Sequence, residues 1–325
     1  MANNLVVGII MRNIIKICAI ALTAISLQTI AGEKVDKSLS VGGATNISVE
    51  NLRGKVKILG WDKNEVSVSG EIDDKAERFV FEKDGAFIKI KVVMPHHMNG
   101  SWHEKGSNLV INVPRKLRLD FSGVSTDVTV EGLTKSTEIQ SVSGNINVDS
   151  LSELIEISSV SGDITSKNLS GKINLSSVSG DIDDKQSQGR IILKAVSGHL
   201  KTRTQASEVF VNTVSGEIDM ILNDIDELII STVSGDVEGE LSLNNSGRIR
   251  MSSVSGDIDL GFTNDAQASF SMRSNAGGDL INKITDDKAK HAKYGPSSTL
   301  YFETGNGKAS VKASTVSGRL EVFKK

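Results

Sequence analysis

The sequence predicts an all-β chain wound as a single-stranded right-handed parallel β-helix, a solenoid of about 18–22 residues per coil. Three observations predict it. The segment Ser-Ser-Val-Ser-Gly-Asp-Ile occurs at 158–164, 176–182 and 252–258, with near-copies between. Apolar and polar residues alternate within each copy, the period of strands and not of helices. And no copy is large enough to fold alone.

The register comes from the valine of Val-Ser-Gly, taken as position one. It falls at Val142, Val160, Val178, Val196 and Val214, 18 residues apart, then at Val233 and Val254 after 19 and 21. Val124 opens a degenerate copy and Val316 a last one. Position five is apolar throughout (Val128, Ile146, Ile164, Ile182, Leu200, Ile218, Val237, Ile258), and position ten is Leu133, Leu151 and Leu169 before turning polar. Positions fourteen and sixteen carry pairs such as Ile155/Ile157 and Ile173/Leu175. Burying the four or five large apolar side chains of one copy yields roughly 1.5–3 kcal/mol each. Ordering its 18 residues costs about 27 kcal/mol. Stacked copies bury one another, with strands about 4.8 Å apart and like side chains lying over like.

Left-handed β-helices also use 18-residue coils, but place apolar residues six apart. The columns here do not, and the general preference of parallel crossovers then favours the right hand. Alternation places positions one, five and seven inward, with the position-three glycine inward where a Cβ would crowd the bend. Positions two, four and six then face water. Position eighteen is always small (Ser141, Ser159, Ser177, Ala195, Thr213, Thr232, Ser253), as a tight corner requires.

The flanks carry the same pattern less regularly. Val66-Ser67-Val68-Ser69-Gly70-Glu71-Ile72, Ile88-Lys89-Ile90 and Leu109-Val110-Ile111 read as divergent coils that close one end. The first residues read as a secretory signal: Arg12 and Lys16, an apolar run from Ile17 to Leu27, then small residues to Ala31, with Met11 as the expected true start. The expected organisation is a signal peptide at 1–31, divergent coils and a cap at 32–123, regular coils at 124–274, and irregular coils and a cap at 275–325. The only cysteine, Cys18, leaves with the signal, so the mature chain is held by its core alone. No mature segment spans a membrane. A net charge of -3 without a basic block, and an aromatic content of 4%, argue against nucleic acid.

Val49-Glu50-Asn51-Leu52-Arg53-Gly54-Lys55-Val56, Gly60-Trp61-Asp62, Leu109-Val110-Ile111-Asn112-Val113-Pro114 and the serial Val-Ser-Gly-Asp-Ile coils resemble a bacterial domain-of-unknown-function family of candidate adhesins. The auto-transporter adhesin head (GIN) domains share the style. The resemblance covers roughly residues 40–323. It implies an exported right-handed β-helix with no catalytic residues to carry over. A C-terminal barrel, a sorting signal and a giant repeat array, features of true surface adhesins, are not read in the sequence.

Several outward rows are candidate binding faces. The acidic row at position four includes Asp163, Asp181 and Asp257, beside the serine row at position two with Ser143, Ser161, Ser179 and Ser255. Stacked carboxylates could recruit calcium, although the favoured reading is a solvated ladder relieved by Asn145 and His199. Hydroxyl rows can hold a glycan or order water. His96, His97 and His103, near Met94 and Met98, could hold a transition metal, without matching a standard motif. No coil carries a distinctive acid–base pair, no Ser-His-Asp grouping is seen, and no cofactor is expected. The sequence therefore favours a non-enzymatic exported protein, periplasmic or at the cell surface or secreted, that binds an envelope protein or glycan. A carbohydrate-active β-helix enzyme and a metal-binding periplasmic protein are the alternatives.

Overall fold

The computed structural model describes residues 33–95 and 105–325. The predicted signal segment and His96, His97 and His103 lie outside the described residues. Those described contain strands and no helix, so none is long and apolar enough to cross a membrane. Their 25 strands form one continuous sheet.

The regular coils each supply two strands, such as Ser152–Ser159 and Ile164–Lys167, followed by Ser170–Ser177 and Ile182–Lys185. Equivalent strands pair in parallel with identical residues in register. Ile155 lies on Ile173, Ile191 and Val209, while Ile146, Ile164, Ile182 and Leu200 form the second column. No residue of either column is more than 1% exposed. This is the predicted all-β solenoid with its 18-residue register. One far corner turns through the left-handed region at Ser150, Asn168 and Gln186.

The valine of each Val-Ser-Gly copy corrects the predicted alternation. From Val124 through Val316 these valines are 37–48% exposed, whereas the small residue before each, from Ser141 to Thr315, is buried. The chain turns a corner there, and two consecutive residues, valine and serine, point outward before the glycine returns inside. Where position eighteen carries a hydroxyl, it bonds within this corner: Ser141, Thr213 and Ser253 donate to the carbonyl two residues on, and others accept the N–H of the glycine three residues on. Ser159 Oγ accepts the Gly162 N–H at 2.9 Å, Ser177 Oγ that of Gly180 at 2.8 Å, and Thr232 Oγ1 that of Gly235 at 3.0 Å. A buried N–H left unpaired would be costly, so the hydroxyl goes inside and the valine does not. The glycines stack backbone on backbone. A Cβ on Gly162 would lie 1.9 Å from Gly144 O, and one on Gly180 2.2 Å from Gly162 O.

The ends depart from the expected all-parallel winding, and the sheet is mixed. Lys34–Ser40 pairs antiparallel with Glu65–Glu71, Arg78–Asp84 with Phe87–Val93, and Ser298–Glu303 with Ala268–Ser274. A hairpin can supply an antiparallel edge strand with a short turn, where a parallel one needs a full crossover. Of these pairs Arg78–Asp84 with Phe87–Val93 is such a hairpin, the other two are joined by longer connections, and all three cover the outermost coils.

Coils at both ends stack out of chain order. Asn46–Trp61 lies between Arg118–Glu131 on one side and Phe87–Val93 and Ser107–Pro114 on the other. Ala309–Thr315 is inserted between the end of Val237–Ser253 and Ala268–Ser274, and Leu320–Lys324 between Ile258–Phe262 and Leu280–Lys283. At the N-terminal end buried Arg53 holds Asp73 through Nε and Nη2 at 2.5 and 2.8 Å. Burial pushes the Asp73 carboxyl up, but Arg53 and the Lys75 N–H outweigh it and hold it below the ordinary range. At the other end Phe270 and Phe302 stack at 4.4 Å inside the last coils.

Candidate functional site

The corner builds a straight surface feature. Because every coil turns at the same register, the exposed valines line up from Val124 to Val316. The backbone bonds through the corner, as in Ser161 N–H to Val142 O and Ser179 N–H to Val160 O at 2.9 Å, keep adjacent coils in step. Nine valines with eight intervals of about 4.8 Å make a row of roughly 38 Å. A groove of about 550 Å³ follows the row, with Val142, Val160, Val178 and Val196 on one side and Gln140, Ser158, Ser176 and Lys194 on the other. It shares Ser122 and Gly123 with a second depression of about 870 Å³ that reaches Glu50, Lys89 and Lys91 at the N-terminal end.

The predicted serine row flanks the valines. Ser143 is engaged within the fold: its Oγ lies 3.2 Å from Ser125 Oγ and donates to Val124 O. Ser161, Ser179 and Ser255 are exposed, and their hydroxyls make no hydrogen bond to another described residue. The acidic row lies beyond them and has a structural task that sequence reasoning missed. Each Asp or Asn side chain accepts the main-chain N–H of the equivalent residue one coil on. Asp127 Oδ1 takes the N–H of Asn145 at 3.0 Å, Asn145 Oδ1 that of Asp163 at 3.2 Å, and Asp163 Oδ1 that of Asp181 at 3.0 Å. Asp181 Oδ1 receives the His199 N–H and Asp236 Oδ1 the Asp257 N–H, both at 2.8 Å. Asp257 receives the Arg319 N–H and lies 3.5 Å from its guanidinium. The pattern was legible as a preference for Asp and Asn, whose short side chains reach a neighbouring N–H where Glu217 does not. Asp163 and Asp181 are exposed, and the second carboxylate oxygen of each makes no hydrogen bond to a described residue.

Among the described residues no three His, Cys, Asp or Glu side chains are grouped to hold a metal ion. A buried carboxylate lies in the interior and not in the groove. Asp184 is fully buried, and its oxygens accept Ser166 Oγ and Ser187 Oγ at 2.6 Å and Thr202 Oγ1 at 3.2 Å. Desolvation pushes its carboxyl above the ordinary value, and the three hydroxyls only partly offset this.

Stacked β-coils around one apolar interior, with repeated rows of side chains on the outside, define a β-solenoid of the repeat class. The chain belongs to the Toastrack DUF4097 family, whose pattern matches residues 44–248. No curated protein matches it. A crystal structure of a candidate cell adhesion protein from Clostridium sporogenes is similar over 91% of this chain and 100% of its own, with 12% identity and a TM-score of 0.26.

Proposed function

We propose that this protein is a non-enzymatic, exported binding rod of the cell envelope, and that it holds a linear glycan along the valine–serine groove. The observation that carries the reading is the row of nine valines left outside, at the same register in every coil from Val124 to Val316. A surface row of that length is informative, since single exposed apolar residues are ordinary and contiguous ones are not. The row is one side chain wide, about 38 Å long and uniform. Such a strip is narrow for a folded partner, which needs about 800 Å² on each side. It suits a thin chain with apolar C–H faces and hydroxyl edges. The free Ser161 and Ser179 hydroxyls and the second oxygens of Asp163 and Asp181 are placed to meet those edges.

The reading includes right-handed winding, kinship with the auto-transporter adhesin head domains, cleavage after residue 31, and a periplasmic or surface location. The main-chain bonds made by Asp163 and Asp181 support a non-catalytic role, because they give this row a reason to exist without chemistry. The test is binding of purified envelope polysaccharides to the wild type and to a Val160→Asp, Val178→Asp double variant. Saturable binding lost in the variant is expected. Equal binding by both proteins, or capture of a folded protein in place of any polysaccharide, would overturn the glycan reading. Polysaccharide turnover abolished by Asp163→Ala would replace it with an enzyme.

A further inference from the structure

The flat sheet face beside the groove carries a second pattern, along the outward column midway between buried positions fourteen and sixteen. At one end Asp120, Glu138 and Glu156 lie on successive coils. In the middle Ile192, Phe210 and Ile229 stack outward, with the Arg190 guanidinium 4.4 Å from the centre of the Phe210 ring. At the other end Arg250 lies on Lys312, followed by Ser271, with Arg273 two residues along the same strand, and then Tyr301. None of Asp120, Glu138, Glu156, Arg250 and Lys312 forms an ion pair with another described residue. Like charges in a row repel: burial first, then Glu138 and Glu50, push the Asp120 carboxyl upward.

We propose that this face binds a second copy of the chain, antiparallel and face to face, with the two-fold axis at Phe210. Reversal about Phe210 sets Ile192 against the other copy's Ile229, since each is one coil from Phe210. Two coils out, Asn174 meets Arg250. Three coils out, Glu156 meets Lys312. Glu138 then meets Ser271 and the nearby Arg273, and Asp120 meets Tyr301. An isologous contact requires such self-complementarity, with each surface patch matching its own reverse. The next column adds Arg190 against Glu227, and sets Glu208 against itself and Lys172 against Arg248 in opposition. The column on the other side is mostly serine and neutral.

The dimensions fit a modest dimer. Ten intervals of about 4.8 Å by four of about 3.3 Å give a face of roughly 600 Å² per copy, or about 1,200 Å² in all. That is the lower limit of a specific interface. The outer column of this face, Gln140, Ser158, Ser176 and Lys194, is also one wall of the valine groove, so the dimer borders the groove.

The experiment is sedimentation equilibrium of the purified protein at low and high salt, with the fold of each variant checked by circular dichroism. A concentration-dependent dimer that dissociates as salt rises is expected. Glu156→Lys or Lys312→Glu alone should weaken it roughly tenfold or more, and the two together in one chain should restore it, because each copy then presents the pair reversed. A monomer at every concentration in low salt overturns the proposal. So does a dimer that neither single reversal weakens, or one that the double reversal does not recover.

Discussion

The Asp163 carboxylate accepts the main-chain N–H of Asp181 at 3.0 Å, one residue holding its own counterpart on the next coil. The bond repeats along the row, so the acidic column is a second ladder outside the main-chain one. It requires an oxygen at a fixed short reach, not a negative charge, because Asn145 does the same for Asp163. Asp163→Asn should therefore be tolerated, within about 0.5 kcal/mol of the wild type. Asp163→Ala should lose about 0.5–1.5 kcal/mol, the net contribution of one such bond. Urea denaturation midpoints of the two variants decide it. An alanine variant as stable as the asparagine one would remove the structural role assigned to this row.

The glycine column sets a stricter limit. Gly180 does not need the left-handed region, so its requirement is purely one of space, and an added Cβ would lie 2.2 Å from Gly162 O. The coils must then part, and the solenoid has no slack along its axis. Gly180→Ala is expected to lose more than about 3 kcal/mol. Gly43→Ala meets no atom within 4 Å and carries only the strain of φ +92°, so a loss of about 1–2 kcal/mol is expected. Thermal unfolding of the pair separates crowding from backbone strain. Similar losses at the two sites would mean the coil spacing yields more than the geometry allows.

Much of this architecture was readable in the sequence, because stacking like on like writes the fold as columns. Ile155, Ile173 and Ile191 were recognisable as one interior row from their spacing alone. The valines were misplaced for a specific reason. Period-two reasoning assumes an uninterrupted strand, and the strand ends at Ser159 and Ser177, whose hydroxyls bond the glycine N–H groups three residues on. Asp184 falls at position seven, a column read as inward, and it escaped notice because its place beside Asp183 in a polar run hid that Ser166, Ser187 and Thr202 surround it. The inserted last coil was beyond reach for the opposite reason. A repeat that matches every neighbour equally well carries no mark of which neighbours it has.

That inserted coil makes a prediction about truncation. Residues 309–324 fill the space between strands ending at Ser253 and Phe262 and strands beginning at Ala268 and Leu280. Removing residues 309–325 leaves facing ladder edges without a partner and uncovers Phe270 and Met251. Unpaired edges of this kind pair between molecules. The truncated chain is expected to form oligomers on size-exclusion chromatography and to lose cooperative unfolding. A monomeric truncation that melts in a single transition would show that the coils on either side close the gap by themselves.

Asp184 gives a pH dependence whose sign is set by its burial. Desolvation raises its carboxyl above the ordinary value of 3.8, despite the bonds from Ser166, Ser187 and Thr202. The folded state therefore holds this proton more tightly than the unfolded chain does. Stability from this group is full below the unfolded value and is lost as pH rises from there through the raised folded value. At neutral pH the charge remains a burden on the fold. Asp184→Asn removes it while leaving an oxygen to accept Ser166 and Ser187, and an amide that can donate to the Thr202 hydroxyl. The variant is expected to be more stable than the wild type at pH 7, with the advantage shrinking as pH falls toward 4. Urea midpoints of both proteins across that range measure it. A variant less stable than the wild type at pH 7, or an advantage that grows toward acid, would mean the three hydroxyls stabilise the carboxylate more than burial penalises it.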